Sequence, residues 1–407
     1  MKKALATSLT LMQNWKTNRN ILLGISGGIA AYKIPRLVRL ITKAKCHLEV
    51  IMTDSAMQFV SSMTLATLSG RNVWLDSDSD SRIPHIRLSQ WAEVLVIAPC
   101  SANTLGKLAH GIADNLLTSA AIASTCPVLV FPAMNEHMYT NPATQENIAT
   151  LKSRGVLVIE PEDGELACGD SGKGRMPEPE EIMHEIFRAL CVHDMTGKHV
   201  LVTAGPTHEY IDPVRYISNP SSGKMGIAMA REAWYRGADV RVIAGPVDVD
   251  GYSLSVQHVI SAQDMLDAVR ANLEWADYIV KAAAVGDYRV KDYSGHKLKR
   301  EGKDILTLEL IQNPDIASEV GRLKREDQVL IGFAAETDNV TAHAREKLAR
   351  KNLDYILAND VMASGSGFAV DTNTLRLIPR DQAKTERVFI GLKEDVAFDV
   401  WSNVLAD

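Results

Sequence analysis

The sequence predicts an α/β protein made of two doubly wound parallel-sheet domains, and three observations carry that reading. At 407 residues the chain exceeds one ordinary hydrophobic core. Short, wholly apolar runs alternate with helical patterns twice over, as in strands covered by helices on both faces. The residues directly after those runs are glycine, serine, threonine, asparagine and aspartate, at the sheet edge where such folds bind ligands.

Composition narrows the function classes. A net charge of −6 gives no electrostatic case for nucleic acid or an anionic membrane surface. Five scattered cysteines, odd in number, fit a reducing cytoplasm. Residues 1–20 loosely imitate a signal peptide, but the apolar part is short, hydroxyl-laced and followed by Gln13-Asn14-Trp15-Lys16. They read as a disordered extension. No run approaches the length of a membrane span.

The first strand is expected at 21–25. Ser26-Gly27-Gly28-Ile29-Ala30 then opens a helical pattern reaching residue 43, with the next strand at 48–52. Such a turn places bare backbone N–H groups at a helix N-terminus, where a phosphate is welcome, although a tight βα turn has the same composition. The Gly-x-Gly-x-x-Gly form is absent. Further strands are expected at 94–98, 128–131 and 156–159, with helices over 64–68, 104–122 and 143–154.

The post-strand residues Thr53, Asp54, Ser101, Asn103 and Thr104 are also good helix caps. Two details exceed capping. Asn135 stands between Met134 and Met138 after a proline, and His85 sits in Ile83-Pro84-His85-Ile86. The stretch 166–176 holds Cys168 among three glycines, which cannot pack a core. It reads as a mobile loop of the kind that closes over a site.

A helix over 180–190 precedes a domain boundary near residue 191. A strand at 199–203 follows, then a polar loop and a helix to about 234. Later strands are expected at 240–244, 278–282, 305–310, 329–333 and 355–357, and no phosphate loop of the Gly-x-x-x-x-Gly-Lys-Ser/Thr form occurs.

The motifs then become specific. Ser-Gly-Gly-Ile-Ala-Ala-Tyr-Lys, Pro-x-Ser-Ala-Asn-Thr, Pro-Ala-Met-Asn-x-x-Met and Ala-Cys-Gly occur in that order in the N-terminal half. This half resembles the flavin-dependent cysteine decarboxylases, the family of phosphopantothenoylcysteine and lantibiotic decarboxylases. The resemblance implies a flavodoxin-like fold and FMN held by Ser26, Gly27, Gly28, Ile29, Ala30, Thr53, Ser101 and Asn103. It also implies His85 beside the flavin and the reacting thiol, Met134 and Asn135 on the substrate, and Cys168 as proton donor to the enethiolate. Sites would be shared within a trimer-based assembly.

Residues 192–407 are similar to phosphopantothenate–cysteine ligases. The stretches that carry this are Thr-Ala-Gly-Pro-Thr, Asp-Pro-Val-Arg-Tyr-Ile-Ser-Asn, Ser-Ser-Gly-Lys-Met-Gly, Lys-Ala-Ala-Ala-Val-Gly-Asp-Tyr, Asn-Pro-Asp-Ile and Gly-Phe-Ala-Ala-Glu-Thr. Such ligases imply a Rossmann-like domain that activates 4′-phosphopantothenate as an acyl-cytidylate before cysteine attacks. CTP and Mg2+ or Mn2+ would be used, where eukaryotic relatives use ATP. The nucleotide would meet Lys281, Ala282, Ala283, Asp287, Lys297, Pro314, Asp315, Ile316, Ala317, Phe333, Lys347 and Lys351. Arg215 and Asn219 would contact the pantothenate part, with Asn219 and Lys297 catalytic.

Together the halves resemble the fused bacterial enzymes of coenzyme A synthesis. Residues 21–191 are then the decarboxylase and 192–407 the ligase, in a homo-oligomer of trimeric decarboxylase and dimeric ligase domains up to a dodecamer. Arg300, where relatives carry lysine, and Pro220 after Asn219 depart from the pattern. Two other readings remain at this point. One is an FMN-binding regulatory or interaction module, against which Cys168, His85 and Asn135 stand together. The other is a nicotinamide reductase, which lacks its glycine fingerprint here.

Overall fold

The computed structural model describes residues 15–77, 83–165, 169, 171–249, 251–299, 305–336, 340–360 and 370–407. The chain forms two compact units, one over 14–191 and one over 192–407.

The first unit is built on a six-stranded parallel sheet. Its strands are β1 (Asn20–Ile25), β2 (His47–Met52), β3 (Val73–Trp74), β4 (Val94–Cys100), β5 (Val128–Pro132) and β6 (Leu157–Val158), in the order β3-β2-β1-β4-β5-β6. The strand side chains serve both faces. Ile21, Leu23 and Ile25 join one buried cluster, while Leu22 packs with Leu95 and Ile97 in the other. Period-two alternation of apolar side chains on both faces is why these runs are apolar throughout.

Two expectations change here. The helix expected over 104–122 is two helices, Ala102–His110 and Leu116–Ala123. Gly111 ends the first at φ 70°, and Asn115 starts the second by accepting a bond from the Thr118 N–H at 2.9 Å. Within the stretch expected as a loop over 166–176, Ser171–Arg175 is strand β8, paired antiparallel with β7 (Glu162–Glu165). Cys168 lies outside the described residues.

The second unit carries an eight-stranded sheet in the order β13-β12-β9-β14-β17-β18-β19-β20. These are β9 (His199–Ala204), β12 (Asp239–Ala244), β13 (Ser255–His258), β14 (Tyr278–Lys281), β17 (Val329–Glu336), β18 (Tyr355–Asp360), β19 (Thr372–Pro379) and β20 (Arg387–Leu392). The first six are parallel; β19 and β20 are antiparallel additions that sequence reading missed. Two ribbons stand apart from it, β10 (Glu209–Tyr210) with β11 (Tyr216–Ile217), and β15 (Tyr288–Val290) with β16 (Leu310–Gln312). The strand expected at 305–310 is therefore wrong. Ile305 and Leu306 are 80% and 59% exposed, and only Leu310 enters a strand.

The closing helix, Lys393–Ala406, locks the unit through Trp401. That ring is fully buried, meets Tyr278 edge-on at 5.5 Å and donates its indole N–H to the Met229 carbonyl at 2.9 Å. Truncation of such a residue costs about 3–5 kcal/mol.

Candidate active sites

In the first unit the carboxyl ends of β1, β2 and β4 converge. The Ser26 hydroxyl donates to the Pro99 carbonyl at 2.8 Å and accepts from the Ser101 N–H at 2.8 Å, stitching β1 to β4. The Thr53 N–H donates to the Ile25 carbonyl at 3.0 Å, which holds the end of β2 beside them. Ser101 also caps the helix Ala102–His110 by accepting from the Thr104 N–H at 3.3 Å. A Cβ on Gly27 would lie 2.5 Å from Ser55, whereas beside Gly28 a Cβ would meet nothing within 4 Å. The turn is thus tight on one side and open on the other, a bare-backbone cradle that suits a phosphate-bearing group such as FMN. Ile29 and Asn103 are exposed and Ala30 half-buried at the same edge.

Asn135 follows β5, and its carboxamide oxygen accepts the His137 N–H at 2.9 Å. Strand β8 lies directly against this loop: the Met134 N–H donates to the Gly174 carbonyl at 3.2 Å. The approach depends on glycine. A Cβ on Gly174 would sit 2.2 Å from the Met134 carbonyl oxygen, and one on Gly172 would sit 2.2 Å from the Glu136 carboxylate. At the foot of the hairpin the buried Lys33 ammonium donates to the Met176 carbonyl at 2.7 Å and to Glu178 at 2.9 Å. The structure thus gathers Ser26, Gly27, Gly28, Thr53 and Ser101, and joins Met134 and Asn135 to the hairpin that carries the Cys168 segment. His85 stands on another helix, Pro84–Trp91, half-buried in its first turn.

The second unit holds a cavity of about 560 Å3 at the carboxyl ends of its parallel strands. Lys281, Ala282, Ala283 and Asp287 enter it from the end of β14, and Pro314, Asp315, Ile316 and Ala317 from the start of the helix Ile316–Leu323. Phe333 comes from β17, Lys347 and Lys351 from the end of the helix Val340–Arg350 and just beyond it, and Asn219 from the loop after β11. Asn219 is held by donating to the Val285 carbonyl at 3.1 Å. Pro220 lines the cavity beside it.

Charge in this cavity is tuned. Burial pulls the Lys281 ammonium down to about 7, with Asp315 opposing and Lys351 reinforcing the change. Asp315 accepts the Ser318 N–H at 3.0 Å and pairs with Lys351 at 3.0 Å. Burial works against its ionisation, but these partners hold its carboxyl below the usual range.

Arg215 and Lys297 do not line the cavity. They belong to a separate constellation around the buried Asp212, which accepts the Leu298 N–H, so Lys297, expected beside the nucleotide, and Arg215, expected on the pantothenate part, lie outside this lining. Arg300 lies outside the described residues. Among the lining residues not expected from sequence are Lys224, Asn359, Asn373 and Lys393. Lys224 was legible within Ser-Ser-Gly-Lys. The others arrive through β18, β19 and the closing helix, whose pairing no local signal announces. Among the described residues no group of three or more His, Cys, Asp or Glu side chains is placed to hold a metal. No helix there is long and apolar enough to cross a membrane.

Comparison with known proteins gives two family matches. Residues 10–191 match the Flavoprotein family, and residues 195–406 match the DNA/pantothenate metabolism flavoprotein C-terminal domain. The coenzyme A biosynthesis bifunctional protein CoaBC of Bacillus subtilis (strain 168) is 45% identical over 398 residues, covering 96% of this chain and 97% of that one. Its Escherichia coli (strain K12) counterpart is 41% identical over 373 residues, covering 90% and 92%. A solved C-terminal domain of a CoaBC protein aligns with TM-score 0.45 and 36% identity, over 53% of this chain and 97% of that one.

Proposed function

The chain belongs to the CoaBC family of bifunctional coenzyme A biosynthesis proteins, and from that premise we propose how its residues divide a ligase from a decarboxylase. It is an enzyme of coenzyme A biosynthesis that combines a flavoprotein decarboxylase with a phosphopantothenate–cysteine ligase. Residues 21–191 carry the decarboxylase and 192–407 the ligase. The ligase product, 4′-phosphopantothenoylcysteine, is the decarboxylase substrate, and 4′-phosphopantetheine leaves.

In the ligase the phosphopantothenate carboxylate attacks the α-phosphorus of CTP. The bond to the bridging oxygen breaks and pyrophosphate departs; a divalent cation brought with the nucleotide, Mg2+ or Mn2+, would offset its charge. The cysteine amine then attacks the acyl carbon, a C–N bond forms, CMP leaves and the amine proton is released. Lys347, Lys351 and Lys281 offset the phosphate charge, while backbone at 314–317 and Phe333 receive the nucleotide. Asn219 orients the pantothenate carboxylate, and Arg215 and Lys297 act on oxyanions from their own loop. The observation that carries this reading is one cavity that draws residues from segments spread over 219–393. Calorimetric titration tests it: the parent binds CTP in preference to ATP, and Lys347→Ala with Lys351→Ala abolishes that binding. Retained binding in the double variant would remove the nucleotide from this cavity.

In the decarboxylase the cradle at Ser26–Gly28, with Ile29, Ala30, Thr53, Ser101 and Asn103, holds FMN. When bound, FMN supplies the oxidation of the cysteinyl thiol that makes loss of carbon dioxide possible, and the reduction that follows. Asn135 donates its amide to the departing carboxylate beside Met134. His85 holds the reacting thiol, Cys168 gives a proton to the enethiolate, and closure of the hairpin excludes water. The work is cytoplasmic and the assembly a homo-oligomer; exposed Ile29, Tyr32, Phe59 and Met63 support burial between subunits.

A further inference from the structure

The carboxylate of Asp212 is wholly buried, yet none of the roles above uses it. Its Oδ1 accepts the N–H groups of Val214 and Arg215, each at 2.8 Å, closing the turn that presents Arg215. Its Oδ2 accepts the Leu298 N–H at 3.1 Å, from a segment 86 residues further along the chain. The Arg215 guanidinium completes the ring: it donates to the Leu298 carbonyl at 3.2 Å and lies 3.4 Å from Oδ2. A further tie runs from the Ser294 N–H to the Ile211 carbonyl at 3.0 Å.

Lys297 is the residue just before this anchor, with an exposed side chain. Lysine loops rich in charge lack apolar contacts to hold them, and here the backbone is fixed by a buried anion instead. The cost of burying a charge is met only when it is fully hydrogen-bonded, and three N–H donors plus a guanidinium meet that condition. Burial alone would raise the carboxyl; these donors outweigh it and hold it below its ordinary range.

We infer that Asp212 is a positioning residue of the ligase, which locks the Arg215 turn and the Lys297 loop into one preset pair of cations aimed at phosphate and acyl-phosphate oxyanions. The inference rests on the reading of Lys297 as a group that acts in ligation. Positioning of this kind is worth a large factor in rate, because a displacement of about 1 Å costs roughly a hundredfold.

Asp212→Asn tests it selectively. One amide oxygen still serves Val214 and Arg215, but the amide NH2 now faces the Leu298 N–H, two donors in opposition. Steady-state ligation is measured for the parent, Asp212→Asn, Lys297→Gln and the double variant, with CTP binding and decarboxylation of supplied phosphopantothenoylcysteine as controls. The expected result is a loss in kcat of about tenfold to a hundredfold in each single variant with KM for CTP little changed. In the Lys297→Gln background, Asp212→Asn then removes less than about threefold more. Losses that multiply, or full activity of Asp212→Asn beside an impaired Lys297→Gln, overturn the positioning role. Full activity of Lys297→Gln instead overturns the reading of Lys297 itself. Should Asp212→Asn not fold, amide exchange at Leu298 in the parent decides: protection supports the clamp, and exchange at the rate of an open loop overturns it.

Discussion

The Lys281 ammonium donates to the Thr203 hydroxyl at 3.2 Å across neighbouring strands β14 and β9, and the same hydroxyl accepts the Ala283 N–H at 3.2 Å. A buried cation thereby shares its acceptor with the backbone that lines the second unit's cavity.

A pH dependence of stability follows. Folding lowers Lys281 from 10.5 to about 7. Below pH 7 both states carry the proton and the burial penalty is present in full. Between 7 and 10.5 the unfolded chain binds a proton that the folded chain does not, so stability rises with pH there. Lys281→Met removes the penalty. It is expected to raise Tm most below pH 7 and progressively less toward 10.5, read from thermal melts across that range. Parallel melting profiles for parent and variant would contradict the assignment.

Gly174→Ala is expected to cripple decarboxylation alone. The added Cβ would meet the Met134 carbonyl oxygen at 2.2 Å, so β8 must lift from the Asn135 loop. A shift of that size costs about a hundredfold in rate, with ligation unchanged. Gly164→Ala in the same hairpin meets only the Arg175 side chain, at 3.5 Å, and should remain active. Equal activity of both variants in a carbon dioxide release assay would show that the contact is dispensable.

Cys168→Ser separates early chemistry from late. A hydroxyl is a far weaker acid than a thiol, so carbon dioxide should still be released while the enethiol product accumulates. His85→Asn should fail before carbon dioxide is lost. Mass spectrometry of products distinguishes the two, and normal phosphopantetheine output from Cys168→Ser would exclude the thiol as proton donor.

A fragment spanning 192–407 is expected to ligate phosphopantothenate and cysteine with CTP, because its sheet, core cluster and cavity all lie inside one compact unit. Nucleotide binding without amide formation by the folded fragment would show that ligation needs the rest of the chain.

Legibility in the sequence followed the range of the interactions. Fully buried parallel strands such as Val94–Cys100 are continuous apolar runs and announce themselves. The hairpin strand Ser171–Arg175 is Ser-Gly-Lys-Gly-Arg, with no strand-forming residue; it is a strand because its glycines let it dock on Met134. Ile305 and Leu306 imitate a strand locally, but no strand among the described residues pairs with them. That Ser26, Gly27, Gly28 and Ser101 follow strand ends was readable from the apolar runs before them. Asn373 and Lys393 were not, since single polar residues acquire a site only through the antiparallel pairing of β18, β19 and β20.

That late pairing also sets an order of events during synthesis. The last helix of the first unit ends at Leu190, whereas the cavity of the second unit is not enclosed until Lys393 has emerged, roughly two hundred residues later. At about 5–20 residues per second, a nascent chain spends some tens of seconds with the first unit fully synthesised and the cavity of the second still incomplete. The first unit can therefore complete its sheet and helices long before the second unit can close its cavity.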